Sequence, residues 1–88
     1  MELEFTRKAR EDLLYLEFYN HKLLEKARTI LNDIESHPTW EIGKPEQLKH
    51  DLTGKWSRRI DRKNRIVYRV SDDNNTVFIL SLRGHYEK

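Results

Sequence analysis

The chain contains no cysteine. That excludes disulfides and thiolate metal sites as staples, and it suits a reducing compartment. Prolines number only two and glycines three, and both prolines and two of the glycines fall between residues 37 and 54. Elsewhere little interrupts regular structure. No apolar run approaches a membrane span, and the opening MELEFTRKARED lacks the core of a signal peptide. These absences lead us to expect a soluble, cytoplasmic protein with no membrane role. The four histidines, at 21, 37, 50 and 85, form no HxxxH pair, and no carboxylate cluster joins the basic residues. Metal chemistry is thus a poor expectation, and no cofactor is foreseen. Repeats and low-complexity segments are absent as well.

At 88 residues the chain is expected to form a single domain, residues 1–88. Charged and hydrophobic residues each make up 36%. The apolar ones are clustered and periodic, which argues for a folded chain. The net charge is only +2, yet residues 1–42 carry −3, residues 43–70 carry +6 and residues 71–88 carry −1. One strongly basic third in a nearly neutral protein provides a face for an anion, and a phosphate backbone is the foremost candidate.

Glu2-Leu3-Glu4-Phe5 alternates as a short strand, and Thr6 suits a helix N-cap. From Arg7 the period becomes helical, with Ala9, Leu13 and Leu16 on one face and Leu14, Tyr15, Phe18 and Tyr19 extending the apolar surface. Asn20 breaks the pattern and can cap a second helix. Its apolar face is Leu23, Leu24, Ala27, Ile30, Leu31 and Ile34, and it ends near Ser36-His37-Pro38. Residues 37–54 read as a long connecting loop, a feature that is often functional. From Lys55 to Asp61 the chain alternates, with Trp56, Arg58 and Ile60 facing one way and Ser57 and Arg59 the other. After a turn at Arg62-Lys63-Asn64, residues Arg65 to Ser71 alternate again, with Ile66, Tyr68 and Val70 inward and Arg65, Val67 and Arg69 outward. Asp72-Asp73-Asn74-Asn75 is a turn cluster. Thr76 to Arg83 is apolar on both faces and predicts a central, covered strand. The expected class is α+β, with a helical hairpin on one face of a twisted antiparallel sheet and a basic opposite face.

RNA carries its own nucleophile, the 2′-hydroxyl. Cutting it without a metal needs a base for that proton, an acid for the leaving 5′-oxygen, and cations for the phosphorane charge. Glu46 and His50 offer bases and His85 an acid. Arg59, Arg65, Arg83 and Lys49 offer positive charge, and Tyr86 offers a ring or a hydroxyl. Each has a plainer reading. Glu46 can pair with Lys44 or Lys49, His50 can brace the loop, and His85-Tyr86 can be a frayed end. Arg65 can simply flank a turn, and Trp56 suits a core anchor. Tyr15, Phe18 and Tyr19 lie off the buried stripe and suit a partner surface.

The run GKPEQLKHDLTG from Gly43 to Gly54, then WSRRI from Trp56 to Ile60, RIVY from Arg65 to Tyr68 and RGHY from Arg83 to Tyr86, resembles the YoeB/Txe family of bacterial toxins in the RelE/ParE superfamily. The resemblance covers essentially the whole chain. It implies a microbial-RNase-like fold and a toxin of a type II toxin–antitoxin system. Such toxins cut mRNA in the ribosomal A site by 2′-OH attack, leaving a 2′,3′-cyclic phosphate and a 5′-hydroxyl. By the same resemblance Glu46 matches the general base, Arg65 the transition-state arginine, His85 the general acid and Tyr86 a substrate-orienting tyrosine. Lys49, His50 and Arg59 match basic positions of the cleft. A YefM-like antitoxin and a homodimer are the implied partners, together with the ribosome and mRNA, in a bacterial cytoplasm. Three departures stand out. Glu87-Lys88 follow the His-Tyr pair, Gly84 stands where an aromatic is usual, and Asn64 stands where histidine is frequent. Little is expected from Asn64. The alternative is a non-catalytic ParE-like relative that inhibits its target by binding.

Overall fold

The Thr6 side chain both ends a strand and starts a helix. Its Oγ1 accepts from the Ala9 amide at 3.1 Å, as an N-cap should, and donates to the Leu80 carbonyl at 2.9 Å. The computed structural model describes residues 2–37, the backbone of 46–47, and residues 54–73 and 75–84. Strand β1 (Glu2–Phe5) leads through Thr6 into helix α1 (Arg7–Tyr19). Asn20 closes α1 and opens α2 (His21–Ser36), its Oδ1 accepting from the Leu23 amide at 3.1 Å. Four more strands follow: β2 (Glu46–Gln47), β3 (Lys55–Arg59), β4 (Arg65–Val70) and β5 (Thr76–Ser81).

The expected α+β layout of a helical hairpin on a sheet is present, with two additions. The stretch 37–54, expected as loop throughout, contains β2, which pairs antiparallel with β3 at the sheet edge. A two-residue strand carries too little alternation to register in the sequence. The strand order is β1-β5-β4-β3-β2, and β1 joins β5 in parallel, so the sheet is mixed rather than wholly antiparallel. A parallel neighbour needs a crossover, and the sequence pattern of β1 alone does not reveal its direction.

The core lies between the hairpin and one face of the sheet. All six apolar residues of the α2 stripe are buried, and they meet Ile60, Ile66, Tyr68, Val77, Ile79 and Leu82. Each wholly buried aliphatic side chain contributes roughly 1.5–3 kcal/mol over exposure. Strand β5 is interior, as expected, but is covered on one face only, since Phe78 and Leu80 remain half-buried. A bulge explains its double-sided apolarity. Ser81 pairs with Val67 while Ile79 pairs with Tyr68, so Leu80 is the extra residue. The inward phase shifts across it, from Val77 and Ile79 to Leu82.

Arg58, on the inward face between Trp56 and Ile60, is 0% exposed. Its guanidinium donates to Asp33 Oδ2, to the His37 carbonyl and, at 3.2 Å, to the Tyr68 hydroxyl. Nδ1 of His37 lies 3.4 Å from the other Asp33 oxygen. Burial pushes the Asp33 carboxyl upward, but hydrogen bonds and charge from Arg58 and His37 outweigh it and hold it below the usual 3.8. Asp61 behaves alike: burial raises it, and bonds from the Lys63 and Asn64 amides and the Asn64 side chain bring it below 3.8.

Two outcomes are expected. Asp33→Ala strands a buried cation and should cost about 3 kcal/mol in urea unfolding, whereas Arg7→Ala, which breaks an exposed pair with Glu11, should change stability by under about 0.5 kcal/mol. Because both depressed carboxyls sit below their unfolded value, their stabilisation is complete above about pH 4 and disappears as pH falls through the lower folded values. The melting temperature, followed from pH 5 to pH 2, should drop there, and Asp33→Asn should flatten the drop.

Candidate active site

Partners in an antiparallel ladder share a face, so the register defines the surface opposite the helices. Three rows cross it. Lys55 stands opposite Arg69, which stands opposite Phe78, the Arg69 guanidinium lying 4.6 Å from the ring centre. Glu46 is opposite Ser57, Ser57 opposite Val67, and Val67 opposite Ser81. The last row pairs Arg59 with Arg65. The outward set expected from alternation, Ser57, Arg59, Arg65, Val67 and Arg69, is thus the set on this face.

Arg65 sits at the start of the central strand β4 and is only 9% exposed. Its side chain runs back along β3 so that Nε donates to Ser57 Oγ at 3.0 Å. Ser57 is itself fully buried and lies one strand from Glu46. Neighbouring strands are about 4.8 Å apart, so Ser57, which holds the Arg65 guanidinium, lies about one strand spacing from the Glu46 backbone. The backbone of Arg65 makes a second connection, donating to the Gly84 carbonyl at 3.2 Å. The loops that deliver these groups are closed locally. Asp61 Oδ1 accepts from the Lys63 and Asn64 amides at 2.8 and 2.7 Å and shapes the β3–β4 turn. Asn64 in turn accepts the Gly84 amide on Oδ1 at 2.8 Å, so this position does more than the sequence suggested.

Of the residues proposed for chemistry, Arg59 and Arg65 share one row, and Glu46 stands in the adjoining one through Ser57. Lys49, His50, His85 and Tyr86 lie outside the described residues, as does the Glu46 side chain. Arg83 is exposed, and its guanidinium stacks on the Tyr15 ring of α1 at 3.4 Å from the ring centre. Phe18 and Tyr19, offered as a partner surface with Tyr15, are 74% and 75% exposed. Three contributors were not given a role from the sequence: Ser57, Asp12 and Arg58. Asp12 and Arg58 did leave a signal there. Each is a charged residue at an inward position of an otherwise apolar stripe, and such residues are rarely buried without a specific partner.

Arg59 and Arg65 place two like charges in one row, and with Lys55 and Arg69 in another they give this face a basic character that suits a phosphate. Among the described residues no group of three His, Asp or Glu side chains is placed to hold a metal ion.

A family model described as the YoeB-like toxin of bacterial type II toxin-antitoxin systems matches residues 5–86. The toxin YoeB of Escherichia coli strain CFT073 is 38% identical over 86 residues, covering 98% of this chain and all of that protein. Among solved structures, a YoeB/ParE toxin from Agrobacterium tumefaciens superposes with a TM-score of 0.93 at 34% identity, over 98% of this chain and all of that one. The Staphylococcus aureus toxin, solved in a YoeB-YefM complex and as a YoeB dimer, superposes with TM-scores of 0.85 and 0.86 at 39% and 38% identity, over 98% of both chains.

The opposed arginines generate a stability test. Arg59→Gln should raise stability at low ionic strength by about 0.2–1 kcal/mol. The gain should vanish near 1 M salt, where the screening length is about 3 Å. Melting curves at the two salt concentrations check this.

Proposed function

Because the chain belongs to the YoeB-like toxins of bacterial type II toxin–antitoxin systems, we propose that it is a ribosome-dependent endoribonuclease. It cuts mRNA in the A site and so halts translation in the bacterial cytoplasm. One chain of contacts supports the reading. Glu46 pairs with Ser57, Ser57 takes the Arg65 Nε, and the Arg65 amide holds the carbonyl of Gly84, the residue before His85. Three segments distant in sequence thus meet at one end of the sheet.

The chemistry follows from what each group can exchange. The Glu46 carboxylate takes the 2′-OH proton, and the 2′-oxygen attacks the adjacent phosphorus. Negative charge grows on the phosphoryl oxygens, where Arg65 and, from across the ladder, Arg59 stabilise it. His85 gives its proton to the departing 5′-oxygen. The products are a 2′,3′-cyclic phosphate and a 5′-hydroxyl, and no water or metal enters the step. Tyr86 orients the nucleotide, and Lys49 and His50 add to the basic cleft. His50 remains the other candidate base. A YefM-like antitoxin is the proposed partner in the cell, and a homodimer the proposed assembly, as in the Staphylococcus aureus structures.

The test is primer extension on message from translating ribosomes. The wild type should create new 5′ ends in the A-site codon. Glu46→Ala and His85→Ala should each lower the cleavage rate about 100-fold or more, within the range for removal of a general base or acid. Arrest of translation without new ends would favour inhibition by binding and sink the nuclease reading.

A further inference from the structure

Strand β5 ends at Ser81, and beyond a strand end the chain is expected to fray. Residues 82–84 do not. Each of the three is held by a different group. The Leu82 amide donates to Asp12 Oδ2 at 2.9 Å, across 70 residues of sequence. The Arg83 guanidinium lies on the Tyr15 ring. The Gly84 amide donates to Asn64, and the Gly84 carbonyl accepts from the Arg65 amide. We propose that Asp12 and Asn64 are positioning residues that, with Tyr15, fix residues 82–84 against Arg65, so that the chain leading to His85 departs from a set point. The proposal rests on the cleavage reading above.

Asp12 is costly where it stands. It is 2% exposed, on the α1 face between Ala9 and Leu16, where an apolar residue would pack without desolvating a charge. What it supplies there is an acceptor for the Leu82 amide. Lys8 Nζ, at 2.7 and 2.8 Å from its two oxygens, balances the charge from the surface side. Asn64 is just as determined. Its Nδ2 donates to both Asp61 oxygens, at 3.1 and 3.3 Å, which turns Oδ1 toward Gly84. Gly84 adopts φ +78°, and a Cβ there would meet nothing within 4 Å. A side chain here would be strained by backbone shape and not by lack of space. A latch onto a left-handed glycine fixes the backbone of residues 82–84, which a looser strand end would leave undetermined.

Two measurements test this. In amide exchange, Gly84 should be protected in the wild type and exchange at least about tenfold faster in Asn64→Ala, while the core amides of Tyr68 and Ile79 stay protected. Unchanged Gly84 exchange would overturn the proposal. In the ribosome assay, Asn64→Ala and Gly84→Ala should lower the maximal cleavage rate about 10- to 100-fold, with the half-saturating concentration little changed. Gly84→Ala leaves the β3–β4 turn intact and serves if Asn64→Ala folds poorly. Neither substitution should cost anything further in a His85→Ala background, because both act through that residue. Losses that add to that of His85→Ala, or no loss at all, would overturn the positioning role. If the wild type cuts no message, the cleavage reading fails and the proposed delivery to a catalytic residue fails with it. Gly84 exchange then still decides whether the latch itself exists.

Discussion

A guanidinium with no exposed surface must find all its compensation inside the protein, and Arg58 draws on at least three groups at once. Asp33 and the His37 carbonyl belong to the end of α2, and Tyr68 belongs to the central strand. The helix layer is thereby registered on the sheet by directional bonds, where aliphatic packing alone would tolerate sliding. The point of attachment matters. His37 is where the chain leaves α2, and Glu46 is where it rejoins the sheet. A buried pair of this kind is weak evidence for net stability but good evidence for a single arrangement being required.

On the other side of the same sheet the arrangement is reversed. There, like charges share a row: Arg59 opposes Arg65, and the Ser57 hydroxyl is one of the groups that hold Arg65. One face buries its cation against an anion; the other gathers cations along the sheet.

Much of this was legible in the residues. The six-residue stripe of α2, the caps at Thr6 and Asn20, and the inward and outward sets of β3 and β4 all follow from period and from hydrogen-bonding side chains, which are local properties. What escaped was non-local. The direction of β1 depends on a partner more than seventy residues away. Strand β2 is too short to show a period. The bulge at Leu80 makes one strand look apolar on both faces, because a phase change and a double-sided pattern read alike in one dimension. For the site, motif resemblance named the groups for chemistry, while their supports, Ser57, Asn64 and Asp12, needed three dimensions. A serine in a strand or an asparagine in a turn has many ordinary uses, and only the partner reveals which one applies.

The parallel pairing of β1 with β5 also has a consequence in time. The first strand made has no partner in the sheet until residues 76–81 have been synthesised. Folding is committed late, through contacts of high sequence separation.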